Sequence, residues 1–270
     1  IDKIKIHSCA IDNQLSIFKL ISLIKPHECY HLAASSFVSY SFEDEISIMS
    51  TNFNSTHYFL SSIKEIVPGC RFYMAGLSEM FGEADVSPQN EETKFNPRSI
   101  YGISKLSSFY VVKNYRKHHG IFACTGITYN HESPRRDFVY VTRKITSGIA
   151  KIVLGKQSKL VLGNIDAVRD WGYAPDYVKA MWLMLNKTGE ANDYVISTGI
   201  PNTVRRLLEV AFGHVNMDYE KYVEINNNFM RPSEKLSLIG DNARIRGELN
   251  WMPEKNFTDI IKEMVDNDIK

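Results

Sequence analysis

Hydrophobic and polar positions follow two periods in the first half of the chain. Short runs rich in β-branched and aromatic residues predict strands, whereas apolar residues that recur every three to four positions predict amphipathic helices. The predicted elements alternate in chain order: strand Ile4 to Ile6, helix Gln14 to Ile24, strand Glu28 to Leu32, helix Asn54 to Val67, strand Arg71 to Ala75, helix Ser99 to His119 and strand Phe122 to Tyr129. This alternation predicts an α/β, Rossmann-like fold, with a doubly wound parallel sheet and helices on both faces.

After residue 130 the pattern is less regular, and loops containing Pro and Arg separate the apolar segments. It predicts helices at Val141 to Leu154, Ala174 to Leu185, Val204 to Phe212, Asp241 to Leu249 and from Thr258 onward, strands at Lys159 to Leu162 and Tyr194 to Ser197, and little order around Glu224 to Asn228. We therefore predict a Rossmann-type domain of residues 1–130 and 165–199, and a smaller mixed domain of residues 131–164 and 200–270.

The charge balance narrows the classes of function. The 270 residues carry 32 basic and 31 acidic side chains, a formal net charge of +1, which gives no global electrostatic basis for binding nucleic acid or a membrane surface. No apolar run reaches the ~18 residues of a membrane-spanning helix, and no signal peptide is visible. Four scattered cysteines predict reduced thiols and a cytoplasmic location. His131 has no second histidine at ligand spacing, so we predict no metal site.

Tyr101 and Lys105 are the first candidates for chemistry. They stand four positions apart in a predicted helix, which places both side chains on one face. A free tyrosine titrates near pH ~10, so a tyrosine that accepts protons near neutrality needs a neighbouring cation to favour its phenolate. Ser78 and Glu79 follow a predicted strand, and Glu79 adds a second acid/base group. Together these groups are typical of redox chemistry that uses a separate proton acceptor.

Seven motifs stand in order along nearly the whole chain. They are residues 72–82 (FYMAGLSEMFG), 96–105 (NPRSIYGISK), 130–136 (NHESPRR), 141–144 (VTRK), 163–164 (GN), 169–172 (RDWG) and 231–234 (RPSE). These motifs resemble those of the GDP-mannose 4,6-dehydratase family, which are extended short-chain dehydrogenase/reductases. The run NHESPRR is very specific to that family.

The resemblance implies a lyase reaction that converts GDP-mannose to GDP-4-keto-6-deoxymannose. It implies that Tyr101 is the base for the sugar C4 hydroxyl, with Lys105 as its electrostatic partner and ribose anchor. Glu79, with Ser78 beside it, is implied as the base for the C5 proton. In that family a hydride passes from C4 to the nicotinamide of NADP or NAD and returns to C6 after water has left.

The resemblance also implies a cofactor-binding set and a substrate-binding set. The cofactor set is Leu32, Ala33, Ala34, Ser35, Tyr101, Lys105, Asn130, His131 and Arg136. The substrate set is Ser36, Asn130, Arg135, Lys144, Arg169, Arg231 and Glu234, in which arginine forks suit the oxygens of a diphosphate. For Arg136 and Arg143, phosphate binding and an ordinary surface ion pair both stay open. The implied partners are a GDP-sugar substrate and further copies of the chain, in a homodimer or homotetramer.

The sequence departs from the family pattern at several points. Leu77 stands where the family has a serine or threonine whose hydroxyl bonds the reacting oxygen, and losing one such bond costs ~2.7–4 kcal/mol of transition-state stabilisation. On an extended segment Ser78 would point away from Leu77's face, so we expect it not to substitute. Asp137 replaces a glycine. None of the 15 glycines forms the Gly-rich turn that holds a dinucleotide, and we expect the sequence to be incomplete at its N-terminus, lacking the first strands.

Three functions therefore stay open. The first is the dehydratase-type lyase, which Glu79 favours because elimination needs a base beyond the one that serves hydride transfer. The second is a C4 dehydrogenase or epimerase acting on a related GDP-sugar, such as a GDP-heptose. The third is a catalytically impaired homologue that binds a nucleotide sugar, which Leu77 and the missing Gly-rich turn favour.

Overall fold

The computed structural model describes residues 3–35, 45–229 and 236–270 of the chain. The chain forms two compact units, the first made of Ile1–Ala84, Glu91–Thr128 and Met181–Tyr194, the second of Asp85–Asn90, Tyr129–Ala180 and Val195–Lys270. The predicted domain boundaries differ from this division, because residues 85–90, 129–130, 165–180 and 195–199 belong to the second unit.

The described ranges contain strands of three to seven residues and α-helices of five to twenty residues. The strands are β1 (Glu28–His31), β2 (Arg71–Leu77), β3 (Ala123–Thr128), β4 (Asn130–Glu132), β5 (Leu160–Leu162), β6 (Val168–Tyr173), β7 (Tyr194–Ile196), β8 (Pro201–Thr203) and β9 (Val223–Ile225). The α-helices are α1 (Gln14–Ile24), α2 (Glu45–Met49), α3 (Ser55–Ile66), α4 (Ile100–His119), α5 (Val141–Val153), α6 (Ala174–Asn186), α7 (Val204–His214), α8 (Ala243–Leu249) and α9 (Phe257–Ile269). Within these ranges no helix is both long and apolar enough to cross a bilayer.

The first unit is built on parallel strands. The sheet has the order β1-β2-β3-β7, with β7 starting in this unit at Tyr194. β1 and β3 both run parallel to β2, and Cys29 and Ala123 both pair with Phe72. All six residues of β3 are buried, as expected for a parallel strand with both faces covered, which shows a continuous buried run instead of alternation.

Local signals set the helix limits in this unit. The Asn13 side chain caps α1 by accepting a hydrogen bond from the Ser16 amide at 2.9 Å. Ser99 caps α4 in the same way through the Gly102 amide at 3.1 Å, and Gly120 ends that helix with a φ of 66°, a conformation that favours glycine. The predicted helix Gln14 to Ile24 is confirmed, and α4 confirms the helix predicted from Ser99 to His119.

The second unit has its own hydrophobic core. β4, β6 and β8 form one small sheet, while β5 and β9 form a parallel pair. Helices α5, α7 and α9 supply most of the core, which includes the fully buried side chains of Ile145, Ile149, Leu207, Phe212 and Ile261. The predicted helices from Val141, Ala174, Val204 and Thr258 are confirmed within a few residues at each end.

Other predictions fail where tertiary contacts decide the outcome. The predicted strand Ile4 to Ile6 is wrong, since residues 4–10 have no regular structure and the two isoleucines are 71% and 84% exposed. The segment of little order around Glu224 to Asn228 contains β9 and a short 3₁₀ turn at Asn227–Phe229. The sequence pattern also missed α2, β4 and β8, which have five, three and three residues, and the six-residue strand β6.

Candidate functional site

The carboxyl end of β2 carries the candidate acid/base residues Ser78 and Glu79. Leu77 closes the strand in an extended conformation (φ −156°, ψ 161°), and Ser78–Met80 then form a 3₁₀ turn closed by the Phe81 amide on the Ser78 carbonyl at 2.9 Å. Ser78 is buried and Glu79 is half-buried. The expectation that Leu77 and Ser78 share one extended segment is therefore corrected, because the backbone turns at Ser78.

Gly102 lets the start of α4 lie against this turn. A Cβ at position 102 would stand 2.7 Å from the Glu79 carbonyl oxygen and 3.1 Å from the Pro97 Cβ, closer than carbon atoms pack. A residue without a side chain is thus required between Tyr101 and Ile103. As a result, the first turn of α4, which carries Tyr101, contacts the backbone of the turn that carries Glu79.

A second backbone contact fixes the same two segments. The Asn96 amide lies 3.2 Å from the carbonyls of Met80 and Phe81, and the Glu83 amide donates to the Asn96 carbonyl at 3.0 Å. Gly82 has a φ of 53°, and a Cβ there would stand 2.0 Å from the Asn96 oxygen. The chain leading into α4 is therefore attached to the Ser78–Met80 turn at more than one point.

Lys105 lies one helical turn after Tyr101 and is buried with 3% exposure. Its Nζ donates a hydrogen bond to the Ala75 carbonyl of β2 at 2.9 Å. Burial lowers the pKa of the Lys105 amine to about 8, because desolvation disfavours the charged form. The amine is still mainly protonated at neutral pH. The Tyr101 side chain is 8% exposed, so its phenol and this ammonium share a dry face of α4.

Asn52, which the sequence reasoning missed, connects the end of β1 to α4. Its side chain accepts a hydrogen bond from the Ser35 amide at 2.8 Å and donates to the Ser35 carbonyl at 3.3 Å and to Ser104 Oγ at 3.2 Å. Ser104 Oγ in turn donates to the Tyr101 carbonyl at 2.8 Å. Asn52 is fully buried in a turn of π-helix, Ser50–Asn54, a distortion common at functional sites. Asn52 lies just before the predicted helix Asn54 to Val67 and belongs to none of the motifs, so the sequence gave no distinct signal for it.

His31 closes β1 beside these groups and was also missed. Its Nε2 lies 3.0 Å from Ser55 Oγ. Burial, and then the charge of Lys105, lower the pKa of His31 to about 3. The imidazole is therefore neutral at physiological pH and does not compete with Lys105 as a cation. Of the predicted cofactor residues that follow it, Leu32 and Ala33 are exposed, whereas Ala34 and Ser35 are half-buried.

In the second unit, β4 positions Asn130 and His131. They pair with Trp171 and Gly172 of the parallel strand β6. His131 Nδ1 lies 2.8 Å from the Tyr129 carbonyl, so Nδ1 carries the proton and Nε2 is left as an acceptor. Burial is the main cause that lowers the pKa of His131. The neutral ring stacks on Tyr177 with centroids 4.8 Å apart.

The loop after β4 carries Arg135 and Arg136. Arg135 is exposed. Arg136 lies with its Cζ 3.5 Å from the ring centroid of Tyr140, and its Nε is 3.5 Å from Glu132 Oε2. Glu132 also accepts a hydrogen bond from Thr142 Oγ1 at 2.6 Å, and burial raises its pKa. Arg136 is therefore oriented by a buried carboxylate and an aromatic face.

The remaining predicted substrate residues fall into two groups. Lys144 lies in the first turns of α5, with its Nζ 5.0 Å from the ring centroid of Phe229, and half-buried Arg169 donates to the Val168 carbonyl at 2.7 Å. Ser36, Arg231 and Glu234 lie outside the described residues. Among the residues described, no group of three or more His, Cys, Asp or Glu side chains could hold a metal ion. The absence of a metal site nevertheless stays a prediction.

The chain is similar to known proteins over nearly its whole length. A family model described as GDP-mannose 4,6 dehydratase matches residues 1–264. GDP-mannose 4,6 dehydratase 2 of Arabidopsis thaliana is 42% identical over 270 residues, which cover 98% of this chain and 72% of the relative. GDP-mannose 4,6 dehydratase of Homo sapiens is 37% identical over 285 residues, covering 98% of this chain and 76% of the relative.

Solved structures confirm the predicted Rossmann-like α/β fold. RMD from Pseudomonas aeruginosa, solved in complex with NADPH, superposes with a TM-score of 0.90 at 22% identity, over 97% of this chain and 88% of that one. UDP-glucose 4-epimerase from Thermotoga maritima, solved with UDP-glucose, superposes with a TM-score of 0.86 at 22% identity, over 97% and 83%. The sequence relatives go further than the fold, and the chain belongs to the GDP-mannose 4,6-dehydratase family.

Proposed function

We propose that this chain is an NADP- or NAD-dependent lyase that converts GDP-mannose to GDP-4-keto-6-deoxymannose. Family membership supports the reaction class. The observation that carries the proposal is the close approach at Gly102, where α4 meets the Glu79 backbone. This approach places a phenol-bearing helical turn against a carboxylate-bearing strand end, and 4,6-dehydration needs one base for C4 and another for C5.

Tyr101 serves as the base for the C4 hydroxyl. Its phenol lies on the same face of α4 as the Lys105 ammonium, and a nearby positive charge favours the phenolate. Lys105 keeps this charge at neutral pH while held by the Ala75 carbonyl at 2.9 Å. Because both side chains are nearly excluded from water, their interaction is stronger than it would be at the surface.

Glu79 serves as the base for the C5 proton. Oxidation at C4 makes the neighbouring C5 proton acidic, and its removal expels the C6 hydroxyl, which leaves as water once it takes up a proton. A half-buried carboxylate at a strand end can take the first proton and supply the second. A C4 dehydrogenase or epimerase needs neither the removal of the C5 proton nor the protonation of the C6 hydroxyl.

The cofactor residues present fit a nicotinamide dinucleotide. The Asn52 side chain fixes both the amide and the carbonyl of Ser35 at the carboxyl end of β1, which is where parallel sheets bind nucleotides. In the same unit, Lys105 can donate to a ribose. In the second unit, taken by itself, the predicted cofactor residues His131 and Arg136 offer an acceptor nitrogen and a guanidinium for hydroxyl and phosphate oxygens. The cofactor would supply the group that accepts a hydride from C4 and returns it to C6.

The diphosphate of the sugar nucleotide is assigned to the second unit. Asn130, Arg135, Lys144 and Arg169 provide neutral and cationic donors, and Lys144 lies near the N-terminus of α5, where free amides also favour an anion. Arg231, Glu234 and Ser36 stay predicted substrate residues. Arginine forks at such a site explain how a nearly neutral protein holds a polyanion locally.

The test is product formation from GDP-mannose with NADP. The purified chain is expected to yield a sugar nucleotide lighter by one water, detected by mass spectrometry and by the absorbance of the 4-keto product in alkali. Glu79→Gln is expected to lower the rate by about 10²- to 10⁴-fold, whereas Glu83→Gln, at an exposed position nearby, should retain it. A product of unchanged mass, or an oxidised one that keeps its C6 oxygen, would replace dehydration by the epimerase or dehydrogenase function.

Leu77 favours a second candidate, a homologue that binds a nucleotide sugar with little turnover. A half-buried leucine at the end of β2 can neither donate nor accept the hydrogen bond of the family's serine or threonine. Calorimetry with GDP and GDP-mannose, run beside the product assay, separates the candidates. Binding with little or no product supports the second candidate, and rapid product formation rejects it.

The cysteines bear on the cellular location. All four form no disulfide, which supports a reducing cytoplasm.

We also expect the chain to assemble as a homodimer or homotetramer. Light scattering on the purified protein tests this expectation, and a monomer at micromolar concentration would contradict it.

A further inference from the structure

Arg143, in the first turns of α5, contacts the loop that carries Arg135 and Arg136. Its Nη1 donates to the Pro134 carbonyl and to the Arg136 carbonyl, the latter at 3.2 Å. Arg143 is buried, with 8% exposure, so it is not a surface ion pair. One guanidinium nitrogen thus joins two carbonyls of the loop, on either side of Arg135.

The other side of this guanidinium is anchored to α9. Arg143 Nη2 lies 2.6 Å from Asp268 Oδ1, with side-chain exposures of 10% and 4%. Asp268 Oδ2 accepts a further hydrogen bond from Thr146 Oγ1 at 2.7 Å. A buried ion pair contributes little net stability because both charges lose their hydration. The planar, forked guanidinium of Arg143 instead fixes the orientation of the groups that it contacts.

Two further contacts hold the residues at the two ends of loop 133–136. Glu132 accepts from Thr142 Oγ1 at 2.6 Å, and Arg136 stacks on Tyr140. Thr142 and Arg143 are adjacent in α5, so consecutive residues of one helix hold both ends of the loop. With Nη1 and Nη2 engaged, and Nε buried without a hydrogen-bond partner among the described residues, Arg143 is poorly placed to bind phosphate itself.

We propose that Arg143 is a positioning residue which, anchored by Asp268, fixes loop 133–136 so that Arg135 and Arg136 can meet the phosphates of cofactor and sugar nucleotide. This rests on the proposed function for the identity of the ligands. Arg143 acts through the backbone that it holds, and neither its charge nor its side chain contacts a ligand.

The test compares Arg143→Lys and Asp268→Asn with the control Arg206→Met, which removes an exposed ion pair with Glu209 on α7. Lysine keeps the charge for Asp268 but lacks the fork that reaches the carbonyls. Losing hydrogen bonds from a charged donor is expected to raise KM for NADP and GDP-mannose about tenfold, with kcat changed less than about threefold. Asp268→Asn is nearly isosteric but turns one acceptor oxygen into an amide nitrogen and removes the negative charge, so Arg143 and Thr146 no longer each have a carboxylate oxygen. It is the variant to use if Arg143→Lys does not fold.

Hydrogen exchange of the loop amides gives a readout that does not need turnover. In wild type the Arg136 amide donates to the Ser133 carbonyl at 2.9 Å and the Tyr140 amide to the Asp137 carbonyl at 3.3 Å. Peptides spanning 133–140 are expected to exchange about tenfold faster in both test variants and unchanged in the control. If the wild type forms no product, the proposed function fails while exchange still decides the role of Arg143. Unchanged exchange, or lower activity at unchanged KM with a lower melting temperature, would reduce Arg143 to a stabilising residue and overturn the proposal.

Discussion

Replacing Lys105 by methionine removes a charged amine from a site that is 3% exposed. Burial lowers the pKa of this amine from 10.5 to about 8, which corresponds to roughly 3 kcal/mol of destabilisation of the folded protein at neutral pH. Methionine avoids this cost but leaves the Ala75 carbonyl without its hydrogen bond at 2.9 Å, a loss of about 1 to 2 kcal/mol. We therefore expect Lys105→Met to be more stable by about 1 to 2 kcal/mol and at least about 100-fold less active.

The sign of the pH dependence follows from the lowered pKa. Between the folded and the unfolded pKa values the unfolded chain binds the proton and the folded chain does not, so wild-type stability rises with pH. The Lys105 amine should return about 2 kcal/mol of stability to the wild type between about pH 7 and about pH 9.5. The stability advantage of Lys105→Met should shrink by that amount and disappear.

Urea unfolding of the protein without ligands, followed by circular dichroism at both pH values, measures this difference. Lys113→Met, at an exposed position of the same helix, is the control and should change stability by less than about 0.5 kcal/mol at either pH. A Lys105→Met variant that is less stable than wild type at neutral pH, or an advantage that does not change with pH, would refute the reasoning.

Three further outcomes are expected. Leu77→Thr should raise kcat about 10²- to 10³-fold by restoring a hydroxyl at the end of β2, and an unchanged kcat would show that the leucine is not limiting. Gly102→Ala, whose Cβ would stand 2.7 Å from the Glu79 oxygen, should lower kcat about 100-fold in steady-state assays by shifting the turn; full activity would dismiss the close approach. Arg116→Met should lower the free energy of unfolding, measured in urea, by about 3 kcal/mol. The variant leaves the Asp193 carboxylate, which is 10% exposed and lies 2.6 Å from the guanidinium, without its cation. A loss of less than about 1 kcal/mol would mean that other groups or water stabilise this carboxylate.

Much of the first unit was predictable because its signals are local. The three-to-four-residue period and the capping residues Ser99 and Gly120 predicted α4 almost to the residue. Apolar runs predicted β1, β2 and β3, and their alternation with helices predicted the parallel sheet that is found. By contrast, Ile4 to Ile6 has strand composition but no regular structure, since a strand depends on a pairing neighbour that composition does not supply.

The sequence by itself determined the order of the main helices and strands of the first unit, the family and the shared face of Tyr101 and Lys105, because helix period and motif spacing are properties of neighbouring residues. Only the tertiary structure decided what those residues contact. The Lys105 bond to Ala75, the approach of Gly102 to Glu79 and the Arg143 pair with Asp268 each join residues far apart in the chain. Burial lowers the pKa of Lys105, and packing brings the Arg143 guanidinium into contact with carbonyls and a carboxylate of the protein. Both effects depend on packing and not on sequence neighbours, because packing sets desolvation and hydrogen-bond geometry.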